Sequence, residues 1–550
     1  MSTTSTAQPR LRNVTRVGGN AVGGLLGLPR ATTRYTVSRV GVPMRDGVRL
    51  VADHYAPITS HPAGTLLVRG PYGRSFPFSL VFGRLYAARG YHVLLQSVRG
   101  TFGSGGEFEP MVNEAADGAD TVEWLRAQPW FTGRFATVGL SYLGFTQWAL
   151  LQDPPPELAA AVITVGPHDF RDSVWGTGTF AVNDFLGWSN LVSHQEDPGR
   201  LRTGVRQLTA PRKVARAVGE VPLGTSARAL LGTSAPWFES WVEHTDADDP
   251  FWDRLRFPDA LDRVEVPVLL LSGWQDIFLS QSLHQYRHLR NRGVDVALTV
   301  GPWTHTQMLG KGLATSAQES LDWVDAHLGG APALQRPSTV RVFVNNQGWR
   351  RLPDWPPATT DHVLYLQPGG HLGVTAPATD APPATFRYDP SNPTPMIGGP
   401  LLTPTGGYRN DSRLALRHDV LSFTGATLPR DLYAYGNPVI ELEHSADNPN
   451  VDLFVRLSEV DAKGRSRNVS DSYRRLDGRQ RVRIELDAIA HRFPAGSRIR
   501  VLITGSWFPR YARNFGTDEP LLTGRQLKPA THAVHFGSSR LVLPVGSPDA

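Results

Sequence analysis

The stretch Gly139-Leu140-Ser141-Tyr142-Leu143-Gly144 lies between an apolar run, Phe135 to Val138, and a helix-like run, Phe145 to Leu151. A strand, a tight turn and a helix, in that order, are the setting in which a serine hydroxyl becomes a nucleophile. The hydroxyl is weak at neutral pH, so the turn must expose Oγ, a base must reach it, and amide donors must receive the oxyanion. Gly139 and Gly144 supply the small residues such a turn needs. The usual pattern is G-x-S-x-G, whereas here Leu143 stands two residues after the serine and the glycine comes one later. A serine between glycines at a strand end is more often an ordinary turn, so Ser141 is a candidate that the rest of the chain has to support.

Outward from this turn, apolar runs alternate with helical periods from Thr65 to Val165. Strands are predicted at 65–69, 92–96, 135–140 and 159–165, and helices near 79–89, 114–127 and 142–151, the alternation of βαβ units and a parallel sheet. Tyr35 to Tyr55, turning at Arg45-Asp46-Gly47, reads as a β-hairpin leading into that sheet. Downstream, the continuous apolar run Val266 to Leu271 opens into Ser272-Gly273-Trp274-Gln275-Asp276, and Val294 to Val300 opens into Gly301-Pro302-Trp303-Thr304-His305. Leu279 to Arg292 between them reads as one crossover helix, which sets Asp276 and His305 at the C-terminal ends of adjacent strands. Serine, acid, histidine is the chain order of an α/β-hydrolase triad. Alone, Asp276 would read as a helix N-cap and His305 as a loop histidine bonded to backbone. All three just past separate strand-like runs, and in that order, are hard to obtain by accident.

The oxyanion needs two donors, and the backbone N–H of Tyr142, next to the nucleophile, is the standard first one. The second should follow an earlier strand. Thr65 to Arg69 ends in Gly70-Pro71-Tyr72-Gly73, with no HGGG-type loop, so the Tyr72 hydroxyl is a candidate; a packed turn aromatic is the plain alternative.

Val68-Arg69-Gly70-Pro71-Tyr72, Val98-Arg99-Gly100, Gly103-Ser104-Gly105-Gly106-Glu107-Phe108, Gly139 to Gly144 with Gln147-Trp148, Gly273-Trp274-Gln275-Asp276 and Gly301-Pro302-Trp303-Thr304-His305 occur in this order. Together they resemble the CocE/NonD hydrolases, the cocaine-esterase-like group that includes the X-Pro dipeptidyl-peptidases of family S15, from about Val37 to the C-terminus. The resemblance implies Ser141 as nucleophile, His305 as general base and then acid, Asp276 as its orienter, and the Tyr72 hydroxyl with the Tyr142 amide as the oxyanion hole. It also accounts for Leu143, because the family lacks the second elbow glycine at that place. Trp274, Phe278 and Trp303, which flank the acid and the base, are expected to contact substrate. Relatives commonly carry an aspartate where this chain has Ser97, so a salt bridge of Arg99 is expected to be lost. Related α-amino-acid ester hydrolases grip the substrate ammonium with two carboxylates just after the triad aspartate; Phe278 and Leu279 stand there, which favours an uncharged or aromatic acyl group.

Composition narrows the remaining classes. The 550 residues exceed one ordinary core and predict several domains. Net charge is +6, but the basic residues are nearly all arginine and interleaved with acids, so no nucleic-acid footprint stands out. The absence of cysteine excludes a disulfide framework, a thiol nucleophile and a zinc–thiolate site. No cofactor or metal is expected, nor a membrane partner, and a homodimer is possible. Residues 1–33 read as a flexible tail on a cytoplasmic protein, since Val17 to Leu28 is too short and too glycine-rich to span a membrane.

The expected architecture is therefore an α/β-hydrolase domain, residues 34–167 and 263–330, with an aromatic-rich helical cap inserted at 168–262. A Pro/Ala/Gly-rich linker, Gly329 to Ser338, leads to an all-β jelly-roll sandwich at 338–550, with strands predicted from Val340 to Val344 onward. The expected function is a serine hydrolase of carboxylic esters or amides, acting on small molecules or short peptides. An X-Pro dipeptidyl-peptidase is the alternative, and a catalytically silent binding protein the third reading.

Overall fold

Five consecutive chain segments with no polar period are buried at every residue, and they form the centre of the first sheet. The computed structural model describes residues 12–14, 16–330, 338–378, 380–476 and 481–548. Its first sheet holds β1 (Arg12–Val14), β2 (Tyr35–Pro43), β3 (Arg49–Pro57), β4 (Gly64–Gly70), β5 (Tyr91–Ser97), β6 (Phe135–Leu140), β7 (Leu158–Thr164), β8 (Val268–Gln275), β9 (Val296–Thr304), β10 (Val340–Val344) and β11 (Gly348–Leu352). The strand order is β1-β2-β3-β5-β4-β6-β7-β8-β9-β10-β11. β4 to β10 run parallel, and antiparallel strands close both edges. Burial of both faces by helices explains why these strands read as continuous Val/Leu/Ala runs. From β4 the chain moves to β5 on one side and then to β6 on the other. A crevice therefore opens between the C-terminal ends of β4 and β6, the place where such sheets bind ligands.

Between β7 and β8 the chain leaves the sheet as helices Phe170–Trp175, Val182–Ser193, Arg200–Gly219, Leu223–Leu231 and Trp237–Glu243. Most of the aromatics in this cap pack on one another: Phe170 lies 4.6 Å from Trp241 and Trp175 5.4 Å from Phe180, ring to ring. From Thr360 onward the chain is an all-β jelly-roll domain. It is organised by the 16-residue strand Ala530–Val545, which pairs with Thr360–Gln367, Ala384–Tyr388 and Val439–Ala446. Leu366, Ile440, Leu453, Ile503 and Leu541 are among its core residues.

Three expectations need correction. Val340–Val344 does not open the sandwich: Val340 and Val342 pair with Leu298 and Val300 of β9, and β11 folds back on β10. An alternating V-R-V-F-V segment fits any half-buried edge, so its period carries no information about which sheet it joins. The N-terminal segment is not uniformly a tail. β1 pairs with β2, Arg16–Leu25 is helical, the Leu26 carbonyl accepts the Gln318 amide at 2.6 Å, and Leu28 is buried. Strand Ser466–Arg475 escaped the sequence reading because it is polar; it is buried against Asp452–Val460, with Arg456 bonded to Asp471 at 2.6 Å and the Tyr473 hydroxyl donating to Asp452. The middle of the expected linker, residues 331–337, lies outside the described residues. No helix among the described residues is long and apolar enough to cross a membrane.

Candidate active site

Ser141 ends β6 and caps the helix Tyr142–Leu150 with φ 59° and ψ −123°, a conformation that costs a non-glycine residue of order 1–3 kcal/mol. The neighbouring hydrogen bonds hold it there. Its amide donates to the Thr164 carbonyl at 2.9 Å, and its carbonyl accepts from the amides of Gly144 and Phe145 at 2.8 and 3.0 Å. Gly144 is required for a separate reason: a Cβ there would stand 2.6 Å from the Gly166 Cα, so the helix and the loop after β7 touch backbone to backbone. The departure from G-x-S-x-G has a packing explanation. The Leu143 side chain lies over Gly139 and Gly70, where added Cβ atoms would meet it at 2.5 and 2.3 Å, so a glycine of the turn and one at the end of β4 make room for the leucine.

The three residues expected to form a triad come together. His305 Nε2 lies 2.8 Å from Ser141 Oγ, and His305 Nδ1 lies 2.7 Å from Asp276 Oδ2. Asp276 and His305 are buried, and the other carboxylate oxygen of Asp276 accepts the Phe278 amide at 2.8 Å. An ionised carboxylate only accepts, so Nδ1 carries the proton, the Nε2 lone pair faces serine, and the serine hydroxyl donates to it. Each of the three residues lies at or just past the end of a different parallel strand: β6, β8 and β9.

Tyr72, two residues past β4, lines the same cavity wall as Ser141, and its hydroxyl accepts a hydrogen bond from the Trp188 indole at 3.0 Å. Burial raises its phenolic pKa, and the hydrogen bond from Trp188 opposes the shift. Tyr142 opens its helix, so its amide is among those with no intrahelical acceptor. Its side chain points away from the reacting centre into a buried network. The Tyr142 hydroxyl donates to Glu114 at 2.7 Å and accepts the Met111 amide at 2.8 Å, while Glu114 pairs with Arg69 at 3.1 Å.

A cavity of about 710 Å³ opens over Ser141 and His305. All three parts of the chain wall it: Tyr72 and Phe278 from the sheet loops, Phe170 and Trp188 from the cap, and Leu402 and Pro404 from the sandwich. The sandwich loop is tied to the cap by the Leu402 amide, which donates to the buried carboxylate of Asp184 at 2.9 Å.

Of the three residues expected to touch substrate, only Phe278 lines this cavity, with its ring edge-on to the His305 imidazole at 5.3 Å. Trp274 and Trp303 are corrections. The Trp274 indole donates to the Phe343 carbonyl at 2.7 Å and its ring packs on Trp355, while Trp303 packs on Trp349 at 5.7 Å. Both lie within the last residues of their strands and hold the hairpin β10–β11 against the sheet, and successive side chains along a strand point to opposite faces. Arg99, expected to lose a salt bridge at Ser97, pairs instead with Asp117 at 2.6 Å and Asp46 at 2.7 Å, and the Ser97 hydroxyl accepts from Arg74. Trp188 was not singled out from the other cap aromatics; nothing in its local sequence separates it from those that pack in the cap.

Two family profiles match the chain: the X-Pro dipeptidyl-peptidase (S15 family) over residues 46–307, and the X-Pro dipeptidyl-peptidase C-terminal non-catalytic domain over 332–541. Cocaine esterase of Rhodococcus sp. (strain MB1 Bresler) is 31% identical over 92% of this chain and 98% of its own length. Among solved structures, an aminopeptidase from a marine sediment archaeon (Thaumarchaeota archaeon) superimposes with TM-score 0.80 at 24% identity, covering 93% of this chain and 97% of its own. An α-amino acid ester hydrolase does so with TM-score 0.78 at 24% identity and the same coverage of both chains.

Proposed function

The chain belongs to the CocE/NonD hydrolases of the X-Pro dipeptidyl-peptidase S15 family and is a serine hydrolase, and from that premise we propose that it cleaves carboxylic esters, or amides, through an acyl-enzyme on Ser141. One observation carries the reading: the unbroken relay from Ser141 Oγ to His305 Nε2 at 2.8 Å and from His305 Nδ1 to Asp276 at 2.7 Å, opening on a cavity. His305 takes the serine proton as Oγ attacks the carbonyl carbon, and Asp276 holds the imidazole tautomer and stabilises the imidazolium. The carbonyl oxygen, now anionic, receives the Tyr72 hydroxyl and the Tyr142 amide. His305 then returns the proton to the leaving alkoxide or amine. Water, activated by the same imidazole, releases the acyl group. No step of this sequence calls for a metal or cofactor.

The acyl side favours an uncharged or aromatic group, since Phe278 lines the cavity and Leu279 follows it where a carboxylate would bind an ammonium. The dipeptidyl-peptidase reading draws on the S15 profile and on Asp184, a carboxylate in the cavity wall. Its ranking below the esterase rests on Asp184 already accepting the Leu402 amide and lying in the field of Arg510.

The test is labelling with a fluorophosphonate probe, on wild type and Ser141→Ala, beside hydrolysis of aryl esters and an X-Pro anilide. Labelling and turnover both lost in Ser141→Ala, with aryl esters cleaved faster than the anilide, is the expected result. Faster anilide cleavage selects the peptidase. A wild type that neither labels nor turns over overturns the enzymatic reading in favour of a binding protein.

A further inference from the structure

We propose that Trp188, on the cap helix Val182–Ser193, is a positioning residue of the oxyanion hole: its indole N–H fills the acceptor side of the Tyr72 hydroxyl and so commits the single phenolic proton to the reacting oxygen. This rests on the reading of Ser141 as nucleophile and Tyr72 as oxyanion donor.

An indole nitrogen donates and never accepts, so the direction of the 3.0 Å bond from Trp188 Nε1 to Tyr72 Oη is fixed by chemistry. A phenol has one proton, which prefers the plane of its ring. With an N–H arriving from the cap, that proton turns to the other side of the oxygen, toward the cavity that Tyr72 shares with Ser141. In the acyl-transfer transition state the same O–H faces the developing oxyanion without having to reorient. As Tyr72 shares its proton, charge builds on Oη, and the N–H of Trp188 already points at that charge; such relays strengthen each member by roughly 10–30%.

Neither ring is free to turn away. Tyr72 stacks on Phe78 at 5.4 Å with 20° between planes. The Trp188 ring lies nearly parallel to that of Tyr142, at 6.1 Å and 11°, and Tyr142 is pinned from below by Glu114 and the Met111 amide. One indole therefore touches both residues assigned to the oxyanion hole. Just past the end of the same helix, Gln195 donates to the Pro71 carbonyl at 2.8 Å, and Glu196 accepts the Phe102 amide at 2.8 Å. The cap thus holds the loop that delivers Tyr72 at Pro71 and the neighbouring loop after β5 at Phe102.

The experiment is a double-mutant cycle on the single-turnover acylation rate with an aryl ester, using wild type, Trp188→Phe, Tyr72→Phe and the double variant. Trp188→Phe keeps an aromatic ring and loses the N–H. It is expected to slow acylation about 3–10-fold, the worth of one neutral hydrogen bond, with little change in substrate affinity. In the Tyr72→Phe background the same substitution should cost nothing further, because there is no phenolic proton left to direct. Equal losses in both backgrounds identify a packing role and overturn the proposal, as does an undiminished rate in Trp188→Phe. Replacement of Trp188 by 3-benzothienylalanine, which keeps the bicyclic shape and lacks the N–H, gives the same reading should the phenylalanine variant fold poorly. If Tyr72→Phe alone acylates at the full rate, the assignment of Tyr72 falls and takes this inference with it. Turnover that survives Ser141→Ala removes the function itself.

Discussion

The Ser141–His305–Asp276 relay and Tyr72, the tyrosine proposed to donate to the oxyanion, share one site, yet different parts of the molecule hold them. Ser141, Asp276 and His305 sit at or just past the ends of β6, β8 and β9, strands whose register is set by backbone pairing and by burial on both faces. Tyr72 follows β4, but its hydroxyl and the preceding carbonyl are held by Trp188 and Gln195, which belong to the cap. In the proposed mechanism, proton transfer is thus built into the sheet, whereas charge stabilisation depends on the inserted cap. The difference teaches where this site can be tuned without losing its chemistry.

Substitutions on the two sides should separate accordingly, and Asp276→Asn is expected to have the largest effect. An amide at 276 favours the wrong imidazole tautomer, and ester turnover at saturating substrate should fall about 10⁴-fold with the fold intact. A loss below about tenfold would mean that the sheet orients His305 without its acid. Tyr72→Phe should follow, slowing acylation about 10²–10³-fold while fluorophosphonate labelling at long times still reaches completion. Absence of labelling there would show that the tyrosine also organises the nucleophile, and would blur the division drawn above. Gly144→Ala has the smallest expected effect and tests the sheet side alone. Its Cβ would press on the Gly166 backbone, so stability should drop by about 1–3 kcal/mol in urea denaturation. An unchanged midpoint would show that the turn under the serine has room to give.

The same division decided what was legible beforehand. Val268 to Leu271 and Val296 to Val300 announce parallel strands by composition, and the residue after such a strand has few places to be, so Asp276 and His305 could be placed from order and spacing. Ser141 became legible only once the acid and the histidine followed it in order, since a serine between glycines is by itself an ordinary turn. Trp188 could not be found that way, since its role depends on one N–H reaching across from the cap to a residue 116 positions earlier in the chain. Trp274 and Trp303 were misplaced for a related reason: closeness in sequence to Asp276 or His305 does not say which face of the sheet the ring occupies. The strand Ser466–Arg475 stayed hidden because its buried charge, Asp471, is neutralised by Arg456 on the neighbouring strand, which no local window contains.

The hairpin β10–β11 has a practical consequence for recombining such proteins. The C-terminal non-catalytic profile begins at residue 332, yet the first two strands after that point lie on the edge of the catalytic sheet. Val340 and Val342 are laid against the strand that delivers His305, and Trp274 and Trp303 hold the hairpin at Phe343 and Trp349. A chimera that exchanges sandwiches between relatives by cutting at the linker therefore exchanges a piece of the catalytic scaffold as well. The crossover that leaves the base on its native bed is one placed after Leu352.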